Sequence, residues 1–108
     1  NGIEWFKKAC KEAPNTREPW IELAESYMAK KMWRECYESA LRALDIKDKA
    51  LVYTMRPDVW GALPHDLIAL SAYYLDMKCE ARHHGEIALE LEPDNERLKT
   101  NLEFYRNN

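Results

Sequence analysis

The sequence predicts an all-α fold, a right-handed solenoid of antiparallel helix pairs carrying about six main helices and no sheet. Three observations predict it. Apolar residues recur at three- and four-residue spacing along most of the chain, the mark of one-sided helices. Short breaks built on Pro, Gly and Asn separate these stretches. The pattern of residues 17–48 also returns on either side of itself, which is how stacked repeats read.

Taken in order, Ile3–Ala13 reads as a helix with Trp5, Phe6, Ala9 and Cys10 on one face. Pro14-Asn15-Thr16 breaks it. Thr16 is the expected cap of the next helix, and Pro19 lies early in it, where a missing N–H costs little. That helix extends to about Ala29, Lys30-Lys31 make a turn, and Met32–Ile46 form the antiparallel partner. Trp33, Cys36, Tyr37, Ala40 and Leu44 give the partner an inward face.

Residues 49–63 are irregular. Leu51, Val52, Tyr53 and Met55 are too apolar for a freely solvated loop. Pro57 is expected to begin one helical turn through Trp60, which Gly61 ends. Pro64 opens a helix to about Asp76, Lys78–Leu91 is its partner, and Pro93-Asp94-Asn95 turns into a last helix, Glu96–Arg106, with Leu98, Leu102 and Tyr105 inward.

Residues 17–48 resemble a tetratricopeptide repeat (TPR). Its pattern is Trp-x2-Leu-Gly-x2-Tyr, then Ala-x3-Phe, then Pro, over 34 residues. Trp20, Leu23, Ala24 and Tyr27 fill the first part, Cys36 and Ala40 the second, and Asp48 stands where Pro is expected. One period upstream, Phe6, Ala9 and Pro14 repeat the second half. Downstream, Ala81, Ala88 and Pro93 repeat it again, and His65, Ile68, Ala69 and Ala72 stand for the Trp, Leu, Gly and Tyr. Ala43 to Ala88 is 45 residues, 11 more than one period, so an insertion separates the two repeats. The expected organisation is a single domain: 1–14 the second half of a repeat, 17–48 a full repeat, 49–63 the insertion, 64–93 a divergent repeat, and 94–108 a capping helix. One repeat cannot bury its apolar face alone, so neighbours stack. Trp20, Leu23, Tyr27, Cys36, Ala40, Ala43, Ala81 and Ala88 are the expected core. A chain opening in mid-repeat is expected to be a fragment, with Trp5 or Phe6 uncovered and able to self-associate.

A second resemblance is more specific. WGALPHDLIALSAYYL, from Trp60 to Leu75, and EPDNERLKTNLEFYR, from Glu92 to Arg106, resemble TPR regions appended to bacterial and phage family 2 glycosyltransferases. EAPNTREPWIELAESYMAKKMWRECYESALRAL is similar to the repeat before them in those proteins. The resemblance implies a nucleotide-sugar-dependent catalytic domain ahead of the repeats. Its Asp-x-Asp metal motif is absent here, so no catalytic residue carries over. It also implies a non-catalytic role for this region: positioning an acceptor, or binding another protein or subunit.

Composition bounds the partners. A net charge of −3 argues against nucleic-acid binding by a basic surface. No apolar run approaches the ~20 residues of a membrane span, and no signal-peptide pattern occurs. Cys10, Cys36 and Cys79 are odd in number and lack CxxC spacing, which reads as reduced, buried thiols in a cytoplasmic protein.

Candidate chemistry is sparse. Cys79-x3-His83-His84 has metal-ligand types, but zinc needs four converging ligands and adjacent residues diverge on a helix. A packed Cys79 beside a surface His83 or His84 is the expectation, with no metal and no cofactor. No residue is assigned a catalytic role, since no nucleophile has an evident base, orienting group or oxyanion hole. Lysine at 7, 8, 11, 30 and 31 reads as solvated helix face. Ile21, Glu25 and Met28 should face the ordinary repeat groove, a poor clamp for an acidic peptide end. Insertions in repeat proteins tend to lie on one face, often the binding face. Tyr53, Arg56, Trp60, His65 and Asp66 flank this one and are the candidate binding residues, with Tyr73 as a floor. They suit a carbohydrate acceptor or a peptide; the alternative is that Trp60 only plugs the gap. The expected function is a protein-interaction scaffold, with a carbohydrate-binding accessory module or a standalone adaptor as alternatives.

Overall fold

The structure is a computed structural model, and it describes residues 2–12, 16–47 and 57–107. The regular secondary structure of the described residues is all helical, with no strand among them. In order they form α1 (Gly2–Glu12), α2 (Arg17–Ala29), α3 (Trp33–Asp45), a 3-10 turn (Pro57–Trp60), α4 (Leu63–Tyr74), α5 (Lys78–Leu91) and α6 (Glu96–Asn107). Helix α5 matches its expected span, and the turn begun by Pro57 is present. Thr16 takes the N-cap position of α2 but makes no side-chain capping hydrogen bond. Pro14, Asp48 and the apolar run 51–55 lie outside the described residues.

Each helix packs mainly on its sequence neighbours, α1 on α2 and so on to α6; α2 also touches the 3-10 turn and α4. Small side chains allow the close approaches. Ala24, Cys36, Ala40, Ala43, Ala69, Ala72, Ala81 and Ala88 are all fully buried. At Gly85 the approach is closer still: an added Cβ would stand 2.8 Å from the Tyr105 ring of α6.

The turns α2–α3 and α4–α5 share one stereochemistry at an offset of 45 residues. Lys31 and Asp76 are left-handed, with φ of 60° and 63°. The Met32 N–H donates to the Tyr27 carbonyl at 2.9 Å, and the Met77 N–H to the Ala72 carbonyl at 2.8 Å. Burial follows the same offset, with Leu23 and Ile68, Ala24 and Ala69, Cys36 and Ala81, and Ala43 and Ala88 all buried.

Four packing expectations need correction. Trp5 does not share a face with Phe6 and Cys10: the inward stripe of α1 is Ile3, Phe6 and Cys10, while Trp5 lies off it and is uncovered, 68 % exposed, as expected for one of the two aromatics at this end. Trp20 is only half-buried, at the edge of a cavity beneath Arg42. Cys79 is exposed and His84 buried, because α5 turns Ala81, His84, Gly85 and Ala88 inward. Ile21 faces no open groove; it is fully buried with Val59, Leu67 and Ile68.

Candidate functional site

The sequence-predicted site divides over three arrangements. Tyr53 and Arg56 lie outside the described residues. Trp60, at the end of the 3-10 turn, lies beneath Arg17, whose guanidinium carbon is 4.0 Å from the ring centroid. Arg17 is buried at the first position of α2. Its Nε donates to the Ile46 carbonyl at 2.7 Å and an Nη to the Val59 carbonyl at 3.0 Å. Arg17 therefore ties the end of α3 to the turn entering α4, and Trp60 packs where that connection closes.

His65, one turn into α4, meets His84 of α5. Their Nδ1 atoms are 2.9 Å apart and their rings stack at 5.2 Å. One Nδ1–H must donate to the other ring's lone pair, so the contact requires at least one neutral imidazole. Burial pushes the His65 pKa down to about 4, and the charges of His84, Arg17 and His83 push the same way. Burial and His83 also lower that of His84, against Glu80, whose carboxylate is 3.6 Å from the His84 Nε2. The Tyr37 hydroxyl donates to that carboxylate at 3.5 Å, so a polar row runs from α3 through α5 into α4.

Asp66 pairs with Arg97 of α6 at 2.9 Å. Its carboxylate is largely buried and lines a cavity of about 190 Å³ with Asp58, Ala62 and Arg97. The hydrogen bond to Asp66 holds the Arg97 guanidinium above its ordinary pKa. Tyr73 is two turns beyond His65, ~12 Å along the axis. It packs against Tyr74 and Tyr105, and so lies in a different aromatic cluster from Trp60.

Two further cavities open beside these elements. One, of about 300 Å³ between α1, α2 and α3, is lined by Lys7, Cys10, Lys11, Trp20, Leu23 and Arg42. The other, of about 220 Å³ between α4 and α6, is lined by Leu70, Tyr73, Tyr74, Asn101, Phe104 and Tyr105.

Nucleophile chemistry is disfavoured where the thiols are buried. Burial holds Cys10 up at about 11 and raises Cys36, so both are thiols at neutral pH. The Cys36 sulfur accepts a hydrogen bond from Ser71 at 3.0 Å. Among the described residues no group of three or more His, Cys, Asp or Glu is placed to hold a metal ion. Among the same residues, no helix is long and apolar enough to cross a membrane.

Arg17, Glu80, Arg97 and Asn101 are polar participants that sequence reasoning missed. Arg17 and Arg97 find partners 29 or more residues away and Glu80 reaches Tyr37 across 43, so no local spacing announces these contacts, whereas Glu80 and His84 stand at a helical i,i+4 spacing that could have signalled their pairing. No protein-family model matches this sequence, and no curated protein matches it.

Proposed function

We propose that this chain is a TPR-type interaction scaffold, a non-catalytic solenoid of stacked helix pairs that binds an extended segment of another protein. One observation carries the reading: two helix pairs 45 residues apart repeat the same left-handed turn, the same turn hydrogen bond and the same buried small residues. A unit used twice, with its apolar side turned to its neighbour, is the building principle of repeat scaffolds, and their work is recognition. The link to family 2 glycosyltransferases rests on the resemblance of Trp60–Leu75 and Glu92–Arg106 alone, and under it the scaffold serves the catalytic domain of the same polypeptide. A carbohydrate site at the insertion is the weaker reading, since the Arg17 guanidinium lies over the Trp60 ring, where a sugar would stack.

Selection from a random-peptide display library on the immobilised chain, followed by isothermal titration, tests the proposal. Saturable binding by selected peptides and not by their scrambled versions is expected. A chain that enriches no sequence over repeated rounds contradicts it.

A further inference from the structure

The cavity between α1, α2 and α3 joins an apolar wall to a cationic mouth. Cys10 and Leu23 are buried in its wall, and the half-buried Trp20 ring forms one side. The other lining side chains, Lys7, Lys11 and Arg42, are all cations and all exposed. Lys7 and Lys11 stand one turn apart on α1, and Arg42 comes from α3, its guanidinium carbon 5.0 Å from the Trp20 ring centroid. A long basic side chain lays its stem on apolar surface and keeps its head in water, so the charges gather at the opening. Solvated lysines are ordinary on a helix, and Lys8 is one. Here a third cation, from another helix, converges on the same hollow.

Size and charge define the ligand. The volume is about 300 Å³, twice the ~150 Å³ that holds benzene in a protein core and at the lower end of small-molecule sites. It takes one ring and a short chain. No carboxylate is among its lining side chains, but two lie close. Glu4 approaches Lys7 at 4.0 Å. Burial raises the Cys10 thiol, Glu22 raises it further and Arg42 lowers it, so both of these charges act at the cavity wall. Three cations against two carboxylates leave one net positive charge, which suits a carboxylate monoanion over a phosphate dianion. Glu38 and Asp45 line an adjoining hollow with Arg42 and Trp20, and they repel an anion there. The favoured place for the carboxylate is therefore between Arg42 and the α1 lysines. Lys7 is shared with Glu4, whereas Lys11 makes no ion pair among the described residues.

We propose that this cavity binds a small apolar carboxylate, an aromatic or branched-chain acid. Its body lies against Trp20 and Leu23, and its carboxylate is held between Lys11 and Arg42. The guanidinium fork matches the two carboxylate oxygens, and the lysine adds a point charge. Such a site is independent of any peptide-binding face.

The test is a titration of the isotope-labelled chain at neutral pH with 4-phenylbutyrate, 4-phenylbutylamine and acetate, read by amide and indole N–H chemical shifts. A ligand of this size binds with a Kd of about 1 mM. Saturable shifts at residues 7–11, 20–23 and 42 with phenylbutyrate, weakened by added salt and absent with the amine or acetate, are expected. Lys11→Glu and Arg42→Glu should each weaken binding about tenfold or more. Lys8→Glu, the same charge reversal outside the cavity, should change it less than about twofold. All three positions are exposed, so circular dichroism should stay unchanged. Equal binding of the amine, equal weakening by Lys8→Glu, shifts centred on another face, or no saturation by about 10 mM overturn the proposal.

Discussion

Acid should loosen the contact between α4 and α5, and the His65–His84 pair sets where. Folded, His65 titrates at about 4, against an ordinary value of 6.5. The unfolded chain therefore binds more protons than the folded one between these values, and falling pH favours unfolding. The stability at stake is complete above pH 6.5, erodes as pH falls, and is fully lost below about pH 4. Across the whole window the shift corresponds to about 3 kcal/mol, most of it already lost at pH 4.5. Protonation of both rings also removes the acceptor that the Nδ1 contact at 2.9 Å requires. The assay is urea denaturation of wild type and His65→Gln at pH 7.5 and 4.5. Carboxylate titrations are common to both chains and cancel. Wild type should lose about 2 kcal/mol more than the variant on acidification; parallel losses would refute the argument.

Other perturbations follow from single contacts. Gly85→Ala would ordinarily stabilise a helix by ~1 kcal/mol. Here the new Cβ meets the Tyr105 ring at 2.8 Å, so calorimetry should show a loss of roughly 1–3 kcal/mol, and Gly85→Ala with Tyr105→Leu should recover part of it. Arg17→Ala removes the donors to the Ile46 and Val59 carbonyls and should cost roughly 2–4 kcal/mol in urea denaturation. Ala43→Leu or Ala88→Leu overpacks a fully buried position and should cost roughly 1–3 kcal/mol, whereas Lys8→Ala, on an exposed face, should stay within about 0.5 kcal/mol. Equal melting shifts for the two classes would contradict the packing.

The helices were legible because local rules govern them. Apolar spacing and Pro or Asn breaks locate α5 to the residue, and α3 and α4 to within one or two, and Pro57 announces the short turn before α4. Small-residue positions were legible too, since Ala40, Ala43, Ala81 and Ala88 fall where helices must approach. Side-chain direction was less so. Trp5 and Cys79 are apolar by type, yet helical phase turns them to solvent, while His84 comes inward and meets His65. The polar tertiary links were not legible. Arg17 finds two carbonyls 29 and 42 residues on, and Asp66 finds Arg97, through contacts that exist only once three helices have stacked. Of the sequence-predicted site, Trp60, His65 and Asp66 flank the same turn but engage three different partners, and Tyr73 belongs to the aromatic cleft.

The central claim is that this chain binds an extended peptide on one face of its helical stack. The most direct measurement is the amide chemical-shift map of the folded chain with its best library-selected peptide. The account predicts saturable shifts on one contiguous face, with dispersion elsewhere retained. Shifts scattered over all six helices, or none at peptide concentrations that saturate the titration, would contradict it.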